Sequence, residues 1–199
     1  MAKLYFRYGA MGSGKTRDLI KTIYNYDYRN MLAIIIKPKI DTKAGECIKS
    51  RDGTVMNIDY IVSENDNLYE IIAKDTRVIH CVLVDEAQFL FPHQVDELSD
   101  VVDYLDIPVI CYGLRADFQT NLFQGSKRLL ELADSIEEIK TVCRCGKKAT
   151  MNTRIQEGNF VFEGEQVAID GVSEITYDSL CRKCYKKEKT KVKKLNNNK

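Results

Sequence analysis

Gly9-Ala10-Met11-Gly12-Ser13-Gly14-Lys15-Thr16 fits the pattern G-x-x-x-x-G-K-[ST], which forms a phosphate-binding loop when a strand precedes it and a helix follows. Its chemistry follows from the residue types. Glycines let backbone N–H groups curl around phosphate oxygens, a helix beginning near Lys15 aims the positive end of its dipole at them, and the Lys15 ammonium reaches the β and γ phosphates of ATP. Thr16 offers its hydroxyl to Mg²⁺. A second element, Val82-Leu83-Val84-Asp85-Glu86, ends an apolar run on two carboxylates. In P-loop proteins an acid at such a strand end reaches the Mg²⁺ shell, which makes Asp85 the candidate. Glu86, one residue on and facing the other way, suits a general base beside the γ phosphate. Gln88, in the same segment, joins residues 9–16 and Asp85 as an expected ATP-binding residue.

The cysteines suggest different chemistry. Cys143-Arg144-Cys145-Gly146 and Cys181-Arg182-Lys183-Cys184 are separated by 35 residues, counted between Cys145 and Cys181. Two thiol pairs on turn-like segments flanking a hairpin can deliver four thiolates to a tetrahedral structural Zn²⁺; unligated thiols are the alternative. The first pair is one residue short of C-x-x-C and makes a tighter knuckle. Cys47, Cys81 and Cys111 have no partner at ligand spacing, and the last two read as small core residues. His80, inside an apolar run, and His93, near a helix start, read as structural.

These residues need elements to hold them, and the apolar pattern supplies a scheme. Leu4-Tyr5-Phe6 leads into the glycine turn, and Leu19, Ile20, Ile23 and Tyr24 follow on one helical face. Residues 31–36, 78–84 and 107–114 read as strands buried on both faces. Helical spacing links Leu68, Ile71 and Ile72, then Val95, Leu98, Val101, Val102 and Leu105 after Pro92, then Leu129, Leu130, Leu132 and Ala133. Repeated β-α alternation implies an α/β domain over residues 1–140 with a parallel sheet. Residues 37–54 have no apolar period and read as a long functional loop. A small β domain is expected over residues 141–185, where helical period disappears and residues 160–169 alternate, with a disordered basic tail over 186–199.

Charge and size limit the partners. The chain has 199 residues, 44% hydrophobic and 30% charged, and a net charge of +1. The last 14 residues hold seven Lys and one Glu, so residues 1–185 carry 23 Lys and Arg against 28 Asp and Glu, a net −5. That balance disfavours a stable nucleic-acid partner. No apolar run reaches the ~20 residues of a membrane span, and an odd seven Cys without an export signal argue for the cytosol. Asp85-Glu86-Ala87-Gln88 also spells a helicase-type box, so a nucleic-acid-stimulated ATPase is a rival; it would need a second motor domain or a basic groove. A P-loop regulatory module whose zinc domain binds a partner protein is a third possibility.

Taken together, the chain resembles the type II thymidine kinases, the cytosolic, zinc-containing class. The resemblance rests on the P-loop with Met at its third position, the loop from Lys37-Pro38 to Asp41-Thr42, Asp85-Glu86-Ala87-Gln88-Phe89, Gly113-Leu114-Arg115-Ala116-Asp117-Phe118, Phe123-Gln124-Gly125-Ser126, and Tyr177 ahead of Cys181-Arg182-Lys183-Cys184-Tyr185. It implies a RecA-like domain, a zinc domain with a lasso loop over the nucleoside, and a homotetramer. By resemblance, Glu86 takes the proton from the 5′-hydroxyl of thymidine, and Met11, Phe89, Leu114, Phe118, Phe123 and Tyr177 line the base and sugar pocket. Ile169 and Gly171 would contact the pyrimidine through main-chain groups. The family commonly has Asp-Thr-Arg-Tyr where this chain reads Asp41-Thr42-Lys43-Ala44, and a Lys cannot supply the bidentate fork of an Arg.

Overall fold

Strands with continuous apolar runs are stable only when both faces are covered, and the central sheet of this protein has two different covers. The computed structural model describes residues 1–39, 47–50, 53–166 and 175–197. Through the first part of the chain the elements run β1 (Leu4–Tyr8), α1 (Lys15–Asp27), β2 (Leu32–Pro38), β3 (Cys47–Lys49), β4 (Val55–Asn57), β5 (Tyr60–Val62), α2 (Leu68–Ala73) and β6 (Ile79–Val84). A 3-10 turn (Ala87–Phe89), α3 (Pro92–Leu105), β7 (Val109–Gly113), α4 (Gln124–Leu132) and β8 (Ser135–Glu138) complete this layer. The six-stranded sheet has the order β5-β2-β6-β7-β1-β8, and every pair in it is parallel.

Side chains along each strand alternate between the two covers, as the pleat requires. Ile34, Ile36, Val82, Val84, Val109 and Cys111 pack with Leu68 and Ile72 of α2, Val95, Leu98 and Val101 of α3 and Leu129 of α4. Ile35, Cys81, Leu83, Ile110 and Tyr112 face the other way, onto Leu19, Ile20 and Ile23 of α1 and Ile48 of β3. Tyr24, expected on the buried face of α1, is instead 53% exposed, because three residues already fill the stripe that touches the sheet. The helices have local stops. Asn67 caps α2 by accepting the Glu70 N–H at 2.9 Å, and α3 ends at Asp106 with φ 53°.

Three parts differ from the sequence pattern. Within residues 37–54, taken as loop, β3 forms and pairs with β4 just beyond it as an antiparallel hairpin, and Ile48 carries it into the core; three-residue strands are too short to show a period. The edge strand β8 (Ser-Ile-Glu-Glu) is almost entirely polar and was not expected at all. The basic tail, expected to be disordered, continues as a helix to Asn197.

The C-terminal part is a second, smaller layer. β9 (Thr141–Val142) and β10 (Lys148–Ala149) form a hairpin, β11 (Met151–Gln156) pairs with β12 (Asn159–Val161) and β13 (Ile175–Leu180) as an antiparallel sheet, and α5 (Arg182–Asn197) packs across it. Phe162, Leu180, Tyr185, Ala149 and two of the cysteines form its core, with Val192 of α5 against it. The lysine-rich tail gains several contacts by being helical: Val192 reaches the core, buried Glu188 pairs with Arg144 at 2.7 Å, and Lys189 lies over the Phe162 and Tyr185 rings, while Lys186, Lys187, Lys191, Lys193 and Lys194 stay exposed. Ile169, Gly171 and the Asp41-Thr42-Lys43-Ala44 segment lie outside the described residues.

Candidate functional site

Three parallel strands end side by side at one edge of the sheet, where ligands of open α/β sheets bind. After β1 the chain turns at Gly9, whose N–H donates to the Gly113 carbonyl at the end of β7 (3.2 Å). Gly14 then enters α1 at φ 85°, a left-handed conformation that glycine adopts without a Cβ penalty. This leaves the free N–H groups of the first helical turn pointing out of the loop, a ready anion site. Arg7 of β1 anchors the assembly from below, with Asp18 of α1 at 3.2 Å, the Tyr112 hydroxyl at 2.9 Å and Glu137 of β8 at 2.9 Å. The polar edge strand thus contributes a carboxylate to the arginine that also holds Asp18 of the helix starting at Lys15.

Met11, Gly12, Gly14, Lys15, Thr16 and Glu86 line one cleft of about 490 Å³, together with Lys49 and Ser50 of the hairpin side. The Lys15 ammonium lies 3.3 Å from the carbonyl oxygens of both Gly9 and Ala10. Its stem is flexible, so the charge can follow an incoming phosphate.

At the end of β6, Asp85 is only 4% exposed. Burial pushes its pKa up to about 6; the neighbouring Glu86 adds to the rise, and the Lys37 and Lys15 ammonium groups oppose it. A buried carboxylate at a strand end beside the P-loop offers a hard oxygen ligand to a divalent metal, whose charge would favour the ionised form. Glu86 itself takes φ 53° and ψ 37°, a strained conformation for a side chain with a Cβ, and this sharp turn separates its direction from that of Asp85. Gln88 then fixes it. The Gln88 Nε2 donates to Glu86 Oε2 at 2.6 Å, and its Oε1 accepts the Leu114 N–H at 2.9 Å. Gln88 is 1% exposed, so its amide is committed to protein groups. Gly113 makes room for it: a Cβ there would sit 2.8 Å from Gln88 Oε1 and 3.0 Å from the Gln88 N.

The aromatic residues gather beyond Leu114. The Ser126 hydroxyl donates to the Leu114 carbonyl at 2.5 Å, and Phe89 and Phe123 meet edge to face at 5.4 Å. Phe118 is buried, and its carbonyl accepts the Tyr185 hydroxyl at 2.7 Å. Tyr177, on β13, is 38% exposed. Three polar residues that the pattern of the sequence did not single out connect these groups. Asn152 of β11 accepts the Met11 N–H at 2.8 Å and donates to the Ala116 carbonyl at 2.6 Å, tying the P-loop to the smaller sheet. Arg154 stacks on Phe118, with its Cζ 3.9 Å from the ring centroid, and Gln166 donates to Asp117 at 3.0 Å. Polar residues inside a short strand look like solvent-facing positions, and nothing in the spacing distinguishes them.

Cys143, Cys145, Cys181 and Cys184 converge, all four sulfurs lying within 4.8 Å of one another. Tetrahedral thiolates about 2.3 Å from a zinc ion lie roughly 3.8 Å apart, and the Cys145 and Cys181 sulfurs are at 3.6 Å, so the group could hold a metal of this kind. The one-residue knuckle between Cys143 and Cys145 closes on Gly146 at φ 81°, whose N–H donates to the Cys143 carbonyl at 2.8 Å. The Cys184 N–H faces the Cys181 sulfur at 3.5 Å and pulls its pKa down to about 7, favouring the thiolate that a metal needs. Cys81 and Cys111 are buried in the main core, as expected of core residues. His80 Nδ1 accepts the Leu32 N–H at 3.1 Å, and His93 Nε2 lies 3.0 Å from the Glu64 carbonyl; both serve the scaffold.

Comparison with known proteins agrees with this arrangement. The family model described as thymidine kinase matches residues 2–185. A thymidine kinase of Rhodopirellula baltica is 48% identical over 190 residues, covering 94% of this chain and 89% of that protein. Those of Mannheimia succiniciproducens (45% over 196 residues, 96% and 99% covered) and Salmonella choleraesuis (47% over 190 residues, 94% and 91% covered) are similar to nearly the same extent. A match over this much of the chain, to the strand ends and the cysteine cluster alike, means that the chain belongs to the thymidine kinase family.

Proposed function

We propose that this protein transfers the γ-phosphoryl group of ATP to the 5′-hydroxyl of thymidine, giving thymidine monophosphate and ADP. The observation that carries the proposal is that the Glu86 carboxylate lines the same cleft as Lys15 and Thr16 while Gln88 holds it from behind. Glu86 would accept the proton of the 5′-hydroxyl as that oxygen bonds to the γ-phosphorus and the bond to the β-γ bridging oxygen breaks. Lys15 and the backbone N–H groups of residues 9–16 would balance the charge on the transferring group and on ADP. Thr16 and Asp85 would hold Mg²⁺, which when bound neutralises phosphate charge. The buried amide of Gln88 favours a role in aiming Glu86 over direct contact with ATP.

Met11, Phe89, Leu114, Phe118, Phe123 and Tyr177 would form the nucleoside pocket, with Ile169 and Gly171 as main-chain contacts. A Zn²⁺ on the four cysteines would fix the smaller sheet that carries Tyr177. The family relation further supports a homotetramer, which sedimentation velocity tests. It supports a cytosolic location too; no helix among the described residues is long and apolar enough to cross a membrane. The nucleic-acid motor alternative is not favoured by the family relation or by the net −5 over residues 1–185. The test is transfer of labelled phosphate from ATP across a panel of nucleosides. Thymidine should be the preferred acceptor, and ATP hydrolysis driven by single-stranded nucleic acid with no nucleoside product would refute the proposal.

A further inference from the structure

Arg154 is the only charged residue of β11 and is 5% exposed. Burying a guanidinium without a carboxylate partner is costly, and among the described residues Arg154 has no ion pair. Instead its flat face is used. The Cζ lies 3.9 Å from the centre of the Phe118 ring and 5.6 Å from that of Tyr177, its cross-strand neighbour on β13. The Nη2 donates to the Gln166 carbonyl at 3.1 Å, and Gln166 Nε2 donates in turn to Asp117 Oδ2 at 3.0 Å, next to Phe118 in the chain. Asp117 Oδ1 accepts the N–H groups of Gln119 and Asn121, both at 2.9 Å, which closes the turn that presents Phe118. The Nε of Arg154 is buried with no hydrogen-bond partner among the described residues, so the side chain gives up a hydrogen bond to keep this orientation.

We propose that Arg154 is a positioning residue for the nucleoside, holding the Phe118 ring at a fixed distance from Tyr177 so that the slot for the pyrimidine is formed before it binds. The inference rests on Phe118 and Tyr177 lining that pocket. A cation–π contact is strongest when desolvated, as here, and it restrains the ring in position and tilt together. The Gln166–Asp117 bond extends the restraint to the segment leading into residues 167–174. Preforming a slot lowers the ordering cost of binding without touching the transferring phosphate, so it acts on nucleoside affinity rather than on the chemical step.

The test compares Arg154→Met, which keeps the stem and removes the planar cation, with Arg154→Lys, which keeps the charge and removes the plane. Arg154→Met should raise the KM for thymidine about 30-fold, the factor that ~2 kcal/mol represents, with kcat and the KM for ATP within about threefold of the unsubstituted protein. Arg154→Lys should fall in between. In a Phe118→Leu background the Arg154 substitutions should add less than about threefold, since their effect is transmitted through that ring. A general structural role would move zinc content, ATP-analogue affinity and both KM values together, and that result would overturn the proposal. So would additive effects in the double variant, or a thymidine KM unchanged in Arg154→Met. If Arg154→Met fails to fold, Arg154→Lys with and without Phe118→Leu decides by the same additivity criterion. Absence of thymidine phosphorylation in the unsubstituted protein would refute the kinase assignment itself, and is read before any variant is compared.

Discussion

Gln88 Nε2 lies 2.6 Å from Glu86 Oε2, while the other end of the same amide holds the Leu114 N–H at 2.9 Å. One buried side chain therefore links the proposed base to Leu114 of the proposed nucleoside pocket. Gln88→Leu should leave both partners without their hydrogen bonds and let Glu86 leave its strained backbone conformation. We expect kcat to fall about 10- to 100-fold, with the KM for ATP little changed. Gln88→Glu should be worse, because it sets a second carboxylate against Glu86. A steady-state split of kcat and KM for each substrate checks this; a large rise in the KM for ATP with kcat preserved would instead make Gln88 a nucleotide contact.

Replacing Glu86 by Gln keeps the size of the side chain and removes its basicity. Substrate binding should persist and phosphoryl transfer should drop by roughly 10²–10⁴, the range of general-base contributions. The unsubstituted protein should consume ATP only when thymidine is present, since a site that closes around its substrate excludes competing water. Transfer retained within about threefold in Glu86→Gln would remove the general-base assignment.

Asp85 makes a prediction about pH. Its pKa in the folded protein is raised to about 6, above the ~3.9 of an unperturbed Asp, so between those values the native state binds more protons than the unfolded state. The contribution of Asp85 to stability must then fall as pH rises through roughly 4 to 6, and its penalty is fully present above 6. It amounts to at most on the order of 3 kcal/mol. Asp85→Asn removes the buried charge and should raise the melting temperature at pH 8 in the absence of nucleotide and Mg²⁺, an advantage that disappears near pH 4. The same variant should bind Mg²⁺-nucleotide more weakly. Thermal melts of both proteins across this range, with and without Mg²⁺-ATP, measure both effects.

How much of this was visible in the sequence depends on where each residue's partners lie. The P-loop, α1 and the β6 terminus were legible because their meaning is local: a glycine spacing, an apolar run, an acid at its end. The cysteine cluster was legible because thiol pairs are rare enough to be matched across 35 intervening residues. β8 was not, since its glutamates earn their place through Arg7, remote in sequence, and Lys148, brought back by the β9-β10 hairpin. Arg154 and Asn152 were missed for the same reason: a buried polar residue looks like a surface one until the groups that satisfy it are brought against it. The tail was misread because its seven lysines outweigh, in any composition, the few residues that dock it, Val192 in the core and Glu188 on Arg144.

The cysteine cluster and the nucleoside pocket are joined by one hydrogen bond. Cys184 is followed by Tyr185, whose ring packs edge to face on Phe162 at 5.1 Å and whose hydroxyl donates to the Phe118 carbonyl at 2.7 Å. If a zinc ion cross-links the cluster, its removal should loosen the start of α5, and with it the Tyr185 hydroxyl. The main sheet has its own two-sided core and should persist, because none of its buried residues depends on the cluster. Elemental analysis of the purified protein should therefore find about one Zn per chain. Chelation, or Cys181→Ser, should abolish thymidine binding while an ATP analogue still binds the P-loop, since structural zinc sites supply folding free energy to the small units they hold. Tyr185→Phe should reproduce part of the loss with the metal still bound, leaving the buried Phe118 carbonyl unsatisfied at a cost of about 1–3 kcal/mol. Protein purified without chelator that is metal-free, folded and able to bind thymidine would rule out the structural zinc, and loss of ATP-analogue binding together with thymidine binding would show that the two layers unfold as one.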